Sequence, residues 1–160
     1  MSRAGSRAWA SATSCRRPGL FALSQPLFTA MGWKSVSILI PTLNCARTLE
    51  ACLASIASQD YPRELVEIII ADGGSTDGTL EVARGCTDRI YPNPLKTGEA
   101  GKAVALKHAS GELVALIDSD NILPSSDWMA RMVSPFDDPE IAAAEPIEYT
   151  YRPTDPATTR

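Results

Sequence analysis

The chain has 160 residues, 44% of them hydrophobic, with 15 basic and 19 acidic side chains and a net charge of -4. That is enough apolar material for one globular domain burying roughly two thirds of its unfolded surface. An acidic balance without a long Lys/Arg cluster excludes a nucleic-acid backbone as the main partner, and no run approaches the ~18 to 20 apolar residues of a transmembrane segment.

Residues 1 to 30 hold Arg3, Arg7, Arg16 and Arg17 and no acidic residue. The apolar piece from Leu20 to Phe28 is broken by Ser24, Gln25 and Pro26, which spoils a secretory core. Met31 directly precedes Gly-Trp-Lys and the first strand, so residues 1–33 read as a disordered or mis-called extension. Val36 to Ile40 is a short apolar strand that Pro41, lacking a donor, is expected to end. After the loop at Thr42 to Asn44, Leu49, Cys52, Leu53 and Ile56 recur at helical spacing from Ala46 until Gln59, Asp60 and Pro62. Leu65 to Ala71 forms a second buried strand and breaks at Asp72-Gly73-Gly74-Ser75. Ser75 or Thr76 is expected to cap the next, short helix, with Asp77 in its first turn and Arg84 near its end.

Arg89 to Tyr91 predicts a brief edge strand, and Pro92-Asn93-Pro94 a loop. Gly98 to Gly101 lead into a helix carrying Lys102, Val104, Leu106 and His108 that ends near Gly111. His108, the only histidine, reads as solvated surface. Leu113 to Ile117, five apolar residues in a row, predicts a strand buried on both faces, the kind that belongs to parallel sheets. Asp127 to Phe136 carries Trp128, Met132, Val133 and Phe136 as a packed helix, and Ile141 to Ile147 reads as a further strand. Tyr149 to Arg160 reads as an unstructured tail. The four cysteines, Cys15, Cys45, Cys52 and Cys86, lack CxxC or zinc-site spacing and read as structural or incidental thiols in a reducing compartment.

Strands alternating with helices call for an α/β fold, a doubly wound, mostly parallel sheet. The order 3-2-1-4 makes strands 1 and 4 neighbours, and the reversal of winding between them opens a crevice at their carboxyl ends. Pro41, Asp72, Asp118 and Asp120 are all expected to border it. Two carboxylates at one strand end repel unless a cation lies between them, and hard oxygen ligands on a tight turn suit Mg²⁺ or Mn²⁺ with substrate phosphates. Taken alone, Asp118-Ser119-Asp120 is weak evidence for a metal and is better read as a turn that caps the helix beyond Pro124.

Three separated stretches carry a resemblance. Val-Ser-Ile-Leu-Ile-Pro-Thr-Leu-Asn (Val36 to Asn44), Ala-Asp-Gly-Gly-Ser-Thr-Asp-Gly-Thr (Ala71 to Thr79) and Ile-Asp-Ser-Asp-Asn (Ile117 to Asn121) resemble the nucleotide-sugar half of family 2 glycosyltransferases, whose Rossmann-like fold is called GT-A. The resemblance covers about Ser35 to Ile147. It implies a partial GT-A domain over residues 34–148, incomplete on its C-terminal side, and a hexosyltransferase-like activity using a nucleotide-diphospho-sugar donor with inversion. By it, Pro41 and Thr42 line the base pocket, Asn44 belongs to the same donor site, and Asp72 accepts a hydrogen bond from the nucleobase. Asp120 of the DXD motif is the principal ligand of Mg²⁺ or Mn²⁺. Asp118, with Ser119, contacts the ribose or shares the ion, and Lys102 meets the diphosphate. Ala103 stands where the family often has Asn.

The resemblance places the general base well after the metal motif, so it is expected beyond residue 160, and the chain is expected to be a truncated, donor-binding half. The acceptor is expected to be a hydroxyl of a glycan, lipid or polysaccharide, with no nucleic acid involved. A cytoplasmic location is expected, with membrane association open to a full-length form. The alternative is a noncatalytic nucleotide-sugar-binding module or a subunit completed by another chain. An aspartate-based phosphatase is disfavoured because its motif follows a first strand, and a dinucleotide fold because GxGxxG is missing after strand 1.

Overall fold

The computed structural model describes residues 32–146. The N-terminal extension up to Met31 and the tail from Ile147 onward lie outside them. The elements run β1 (Val36–Thr42), α1 (Ala46–Ala57), β2 (Val66–Asp72), α2 (Thr79–Arg84), β3 (Ile90–Pro92), α3 (Gly98–Leu106), β4 (Leu113–Leu116) and α4 (Trp128–Val133). The four strands form one sheet in the order β3-β2-β1-β4, every pair parallel. This is the α/β, doubly wound arrangement that the alternation predicts.

Both faces of β1 and β2 are covered, which is why their sequences are continuously apolar. Val36, Ile38, Ile40, Ile68 and Ile70 point to one side, against Leu49, Cys52, Leu53 and Ile56 of α1 and against Ala83 and Met129. Leu39, Ile69 and Ala71 point to the other, against Ala105 of α3. Each fully buried Ile or Leu contributes roughly 1.5–3 kcal/mol relative to an exposed one. On the first side Trp33 stands edge-on to Tyr61 with ring centroids 4.8 Å apart, so the packed unit takes in a residue assigned to the extension.

Several expectations are corrected. Pro41 does not end β1, which continues through Pro41 and Thr42 opposite Ala71 and Asp72. Backbone groups of Leu39 serve β4, since Ile117 N donates to its carbonyl. Those of Pro41, two residues on, face the same side beyond the end of the β1–β4 ladder, where no N–H is needed. β4 is not buried on both faces. Leu113 and Ala115 pack on the α1 side, but Val114 and Leu116 are 42% and 62% exposed, because α3 lies over β1 and β2 and β4 is an edge strand among the described residues. Leu106, on α3, is likewise exposed.

Ser75 and Thr76 do not cap α2. That helix starts only at Thr79, after Gly78 at φ 95°, and Asp77 precedes it, accepting from Thr79 N and Oγ1. α3 ends at Leu106, short of Gly111, and His108 beyond it stacks on Tyr91 with centroids 3.6 Å apart instead of standing free in solvent. The predicted helix to Phe136 stops at Val133 and tightens into a 3-10 turn at Ser134–Asp137 around Pro135. Residues 141–146 are irregular and contain no strand. Cys45 and Cys52 are free thiols, whereas Cys86 is disulfide-bonded, unlike the free thiol expected there. Among the described residues no helix is long and apolar enough to cross a membrane.

A polar cluster fastens the amino-terminal edge of the sheet. Glu67 of β2 accepts from Ser37 Oγ at 2.5 Å, from Ser110 N at 2.7 Å and from Ser110 Oγ at 2.9 Å, and it pairs with Arg89. Arg89 also donates to the His108 carbonyl, and Gly111 N donates to Ser37 Oγ. A Cβ on Gly111 would lie 2.7 Å from Ser37 N, so only glycine lets the turn before β4 come this close to β1. Glu67 therefore joins β1, β3 and the α3–β4 connection. Glu67→Ala is expected to lower the free energy of unfolding by about 2 kcal/mol, seen as a lower urea midpoint; an unchanged midpoint would show that the cluster adds nothing to stability.

Candidate functional site at the carboxyl edge of the sheet

The opposite, carboxyl edge gathers the residues singled out in the sequence. β1 ends at Thr42, β2 at Asp72, and the chain leaves β4 through Ile117 into Asp118. Thr42 and Asp72 are register partners, and Thr42 Oγ1 donates to Asp72 Oδ1 at 2.9 Å. Asp72 is 6% exposed and closes the turn that follows it. Its Oδ2 accepts from Gly74 N and Ser75 N, both at 2.8 Å, while Oδ1 takes a second hydrogen bond from Ser75 Oγ at 2.5 Å. Burial pushes the Asp72 carboxyl up, but the hydrogen bonds from Ser75, Thr42 and Gly74 outweigh it and hold the group below the ordinary carboxylate range.

Asn44, at φ 49°, occupies the left-handed region that asparagine tolerates. Its side chain accepts from Thr76 N, and its N–H donates to Ser75 Oγ. Ala46 N donates to Asp77 Oδ2 and Cys45 N to Thr79 Oγ1. The loops after β1 and β2 are thus joined side chain to backbone along their length.

Two adjoining depressions open on this edge. One, of about 200 Å³, is lined by Pro41, Thr42, Lys96, Thr97, Asp118 and Ser119. The other, of about 340 Å³, is lined by Asp72, Gly73, Gly74, Tyr91 and Pro92. Asn93 borders both. Together they reach the size range of small-molecule sites, roughly 300–1,000 Å³. Asp72 and Asp118 therefore share one rim but line neighbouring hollows, and Asp120 lines neither.

Asn93 lies in Pro92-Asn93-Pro94, which reads in the sequence as an ordinary loop. It is 3% exposed; its N–H donates to the Asp72 carbonyl and its Nδ2 to the Thr97 carbonyl. Its Oδ1 is the buried side-chain polar atom left without a partner among the described residues. No local signal marks it, because its value lies in tying β2 to the first turn of α3. That turn is capped by Thr97, whose Oγ1 accepts from Ala100 N.

Asp118 begins a turn closed by Asn121. Asp118 N donates to Asn121 Oδ1, Asn121 N donates to the Asp118 carbonyl, and Cys52 Sγ approaches that carbonyl at 3.7 Å. The Asp118 carboxylate meets Lys102 Nζ at 2.7 Å. The turn lies over α1 closely enough that the Cys52 thiol is pushed up to about 12, by burial first and by the charges of Asp120, Cys45 and Asp118 after it. Cys52 is thereby kept as an inert, protonated core residue.

Among the described residues no three His, Cys, Asp or Glu side chains converge to enclose a metal ion. Asp118 and Asp120, two carboxylates on one turn, match a different donor set, in which Mg²⁺ takes one or two carboxylates and completes its shell with waters and phosphate oxygens. The residues present fit an ion held jointly with a phosphate ligand, not a closed protein cage.

Known proteins share the family and fold of this chain. The model of the family described as "Glycosyl transferase family 2" matches residues 37–157. An N-acetylglucosaminyltransferase of Bradyrhizobium elkanii is 36% identical over 121 residues, covering 69% of this chain and 64% of that protein. Among solved structures, the mannosyltransferase PcManGT from Pyrobaculum calidifontis in complex with GDP-Man and Mn²⁺ aligns with a TM-score of 0.61 at 32% identity, over 67% of this chain and 33% of that one. Staphylococcus aureus TarS (residues 1–349) in complex with UDP-GlcNAc aligns with a TM-score of 0.55 at 27% identity, over 63% of this chain and 31% of that one. The chain thus spans about a third of the length of each of these solved relatives. With its sheet order, its rim and the family match over most of its length, this chain belongs to glycosyltransferase family 2.

Proposed function

We propose that this chain is the donor-binding portion of a metal-dependent, inverting glycosyltransferase that moves a sugar from a nucleoside diphosphate to an acceptor hydroxyl. The observation that carries the reading is the single rim on which Pro41 and Thr42, Asp72 and Asp118, drawn from three separate segments, line adjoining hollows, with Lys102 paired to Asp118. The donors bound by the two solved relatives, GDP-Man and UDP-GlcNAc, support a nucleotide-diphospho-sugar as the ligand class.

In this reading Pro41 and Thr42 form the wall of the base subsite, and Asp72 meets the base. A carboxylate has about four acceptor positions, and those of Asp72 are filled by Thr42, Gly74 and Ser75. A base N–H is therefore admitted by rotation of the Ser75 hydroxyl, the less buried of the two hydroxyl donors. Asn44 acts at one remove, by holding Thr76 and Ser75 in place. Asp118 and Ser119 face the ribose and diphosphate, and Asp120, which has no hydrogen bond or ion pair among the described residues, is the first ligand of a divalent ion. When bound, Mg²⁺ or Mn²⁺ supplies Lewis-acid stabilisation of the charge that builds on the leaving diphosphate. The acceptor hydroxyl of a glycan, lipid or polysaccharide attacks from the opposite face. Its proton goes to a carboxylate held within ~3 Å, which we assign to the additional length that the relatives possess.

Calorimetry with UDP and GDP in the presence of Mn²⁺ is expected to show binding that EDTA abolishes and that Asp120→Asn weakens by about tenfold or more. A folded sample that binds neither nucleotide would overturn the reading. Sugar transfer by the isolated chain would instead show that it carries its own base. Asp72→Asn should cost about 1–3 kcal/mol of stability, because an amide cannot accept from all four donors. The wild-type Asp72 pKa lies below its unfolded value of about 3.9, so its stabilisation is complete above that value and is lost as pH falls through the folded pKa. Urea midpoints taken from neutral pH to about pH 3 should accordingly fall less steeply in Asp72→Asn than in the wild type.

A further inference from the structure

Lys102 and Asp118 belong to different elements, and both backbones are held independently of their ion pair. Gly101 sits against β1 so closely that a Cβ there would lie 2.7 Å from Pro41 Cβ and 3.0 Å from Asn93 Nδ2. The helix turn bearing Lys102 is therefore packed directly against β1. Asp118 is fixed through its own N–H and carbonyl by Asn121 and Cys52. Between these two anchored points the Lys102 ammonium lies 2.7 Å from Asp118 Oδ1, with the lysine side chain 28% exposed and the aspartate 54%. Asp120, on the same turn, has no such partner among the described residues.

We infer that Lys102 is the internal counter-ion of Asp118, and that exchange of this partner makes binding of a divalent cation and of a nucleoside diphosphate interdependent. The inference rests on the donor-binding reading above and assigns to Lys102 a positioning role within it. An ammonium and a divalent cation cannot both sit against one carboxylate oxygen, since like charges a few ångströms apart repel strongly near a protein surface. Held at Oδ1, the Lys102 ammonium repels a divalent ion brought to Oδ2 of the same carboxylate, so metal binding at Asp118 is weakened until Lys102 lets go. Released without an anion nearby, the Lys102 charge faces that same cation across the rim; with a diphosphate present it has phosphate oxygens to meet. Diphosphate therefore relieves the competition at Asp118, and the coupling runs equally in both directions. In the absence of nucleotide the pair weakens the hold of the turn on metal by itself.

The test is a titration of the full chain with Mn²⁺ alone, followed by electron paramagnetic resonance of the free ion and repeated with saturating UDP or GDP. Lys102→Met is expected to bind Mn²⁺ alone about fivefold more tightly than the wild type. The factor by which the nucleotide tightens Mn²⁺ should shrink by a similar amount. Lys102→Arg, which keeps the charge, should follow the wild type, and the gain of Lys102→Met should vanish when combined with Asp118→Asn. Circular dichroism establishes that each variant is folded, and Lys102→Gln replaces the methionine variant if that one is not. If the wild type binds nucleotide with Mn²⁺ but Lys102→Met binds Mn²⁺ alone no more tightly, the counter-ion role is overturned and the donor-binding reading stands. If the wild type binds neither nucleotide with Mn²⁺, the donor-binding reading fails, and this inference falls with it.

Discussion

Every arrangement at the rim follows from the pairing of one strand, β1, in parallel with two neighbours that come from distant parts of the chain. Val36 lies opposite Val66 on one side and opposite Leu113 on the other. Parallel pairing puts like ends of strands together, so the loops leaving β1, β2 and β4 emerge along one edge. A strand order that separated β4 from β1 would leave Asp118 remote from Pro41 and Thr42. The apolar residues on both faces of β1 supply the driving force, and the polar groups at its two ends set which neighbours it accepts.

Those two ends are held differently. At the amino-terminal edge, Glu67 gathers Ser37, Arg89 and Ser110 around one carboxylate, and Gly111 lets the turn into β4 approach without a side chain in the way. Such a cluster is cohesive because every partner is charged or hydrogen-bonded. At the carboxyl edge the carboxylates are divided by role. Asp72 and Asp77 are satisfied by neighbouring backbone and hydroxyl donors and shape loops. Asp118 and Asp120 stand at the exposed end of the sheet, one answered by a lysine and the other by no described side chain. The second pair is thus left open to solvent, while the first shapes the loops beside it.

The backbone supports that division. Gly101 brings α3 onto Pro41, and Asn93 ties the end of β2 to the first turn of α3. Lys96 beside the first hollow and Asn44 in the loop after β1 both adopt left-handed backbone, the non-glycine residues that do so among the described residues. Such conformations gather where surrounding contacts over-determine a loop, and here both lie at the rim.

Much of this was legible from residue order alone. Continuous apolar runs marked β1 and β2 as strands, Leu49, Cys52, Leu53 and Ile56 marked the buried stripe of α1, and alternation of strands and helices implied the order in which they pair. Two of the short motifs pointed to Asp72 and Asp118 as strand-end residues, whereas Pro41 lies inside β1. Periodicity carries such information because burial repeats along a segment. It carried nothing about Glu67, Asn93 or the partner of Lys102, whose contacts reach across many positions and depend on strand register. It also misjudged β4, whose apolar run looked fully enclosed although Val114 and Leu116 are exposed. Local composition thus determined which segments bury themselves and where chemistry-bearing residues leave them. Tertiary structure alone decided which side chains meet, because a hydrogen bond or ion pair depends on ångström-scale placement of elements that no single segment encodes.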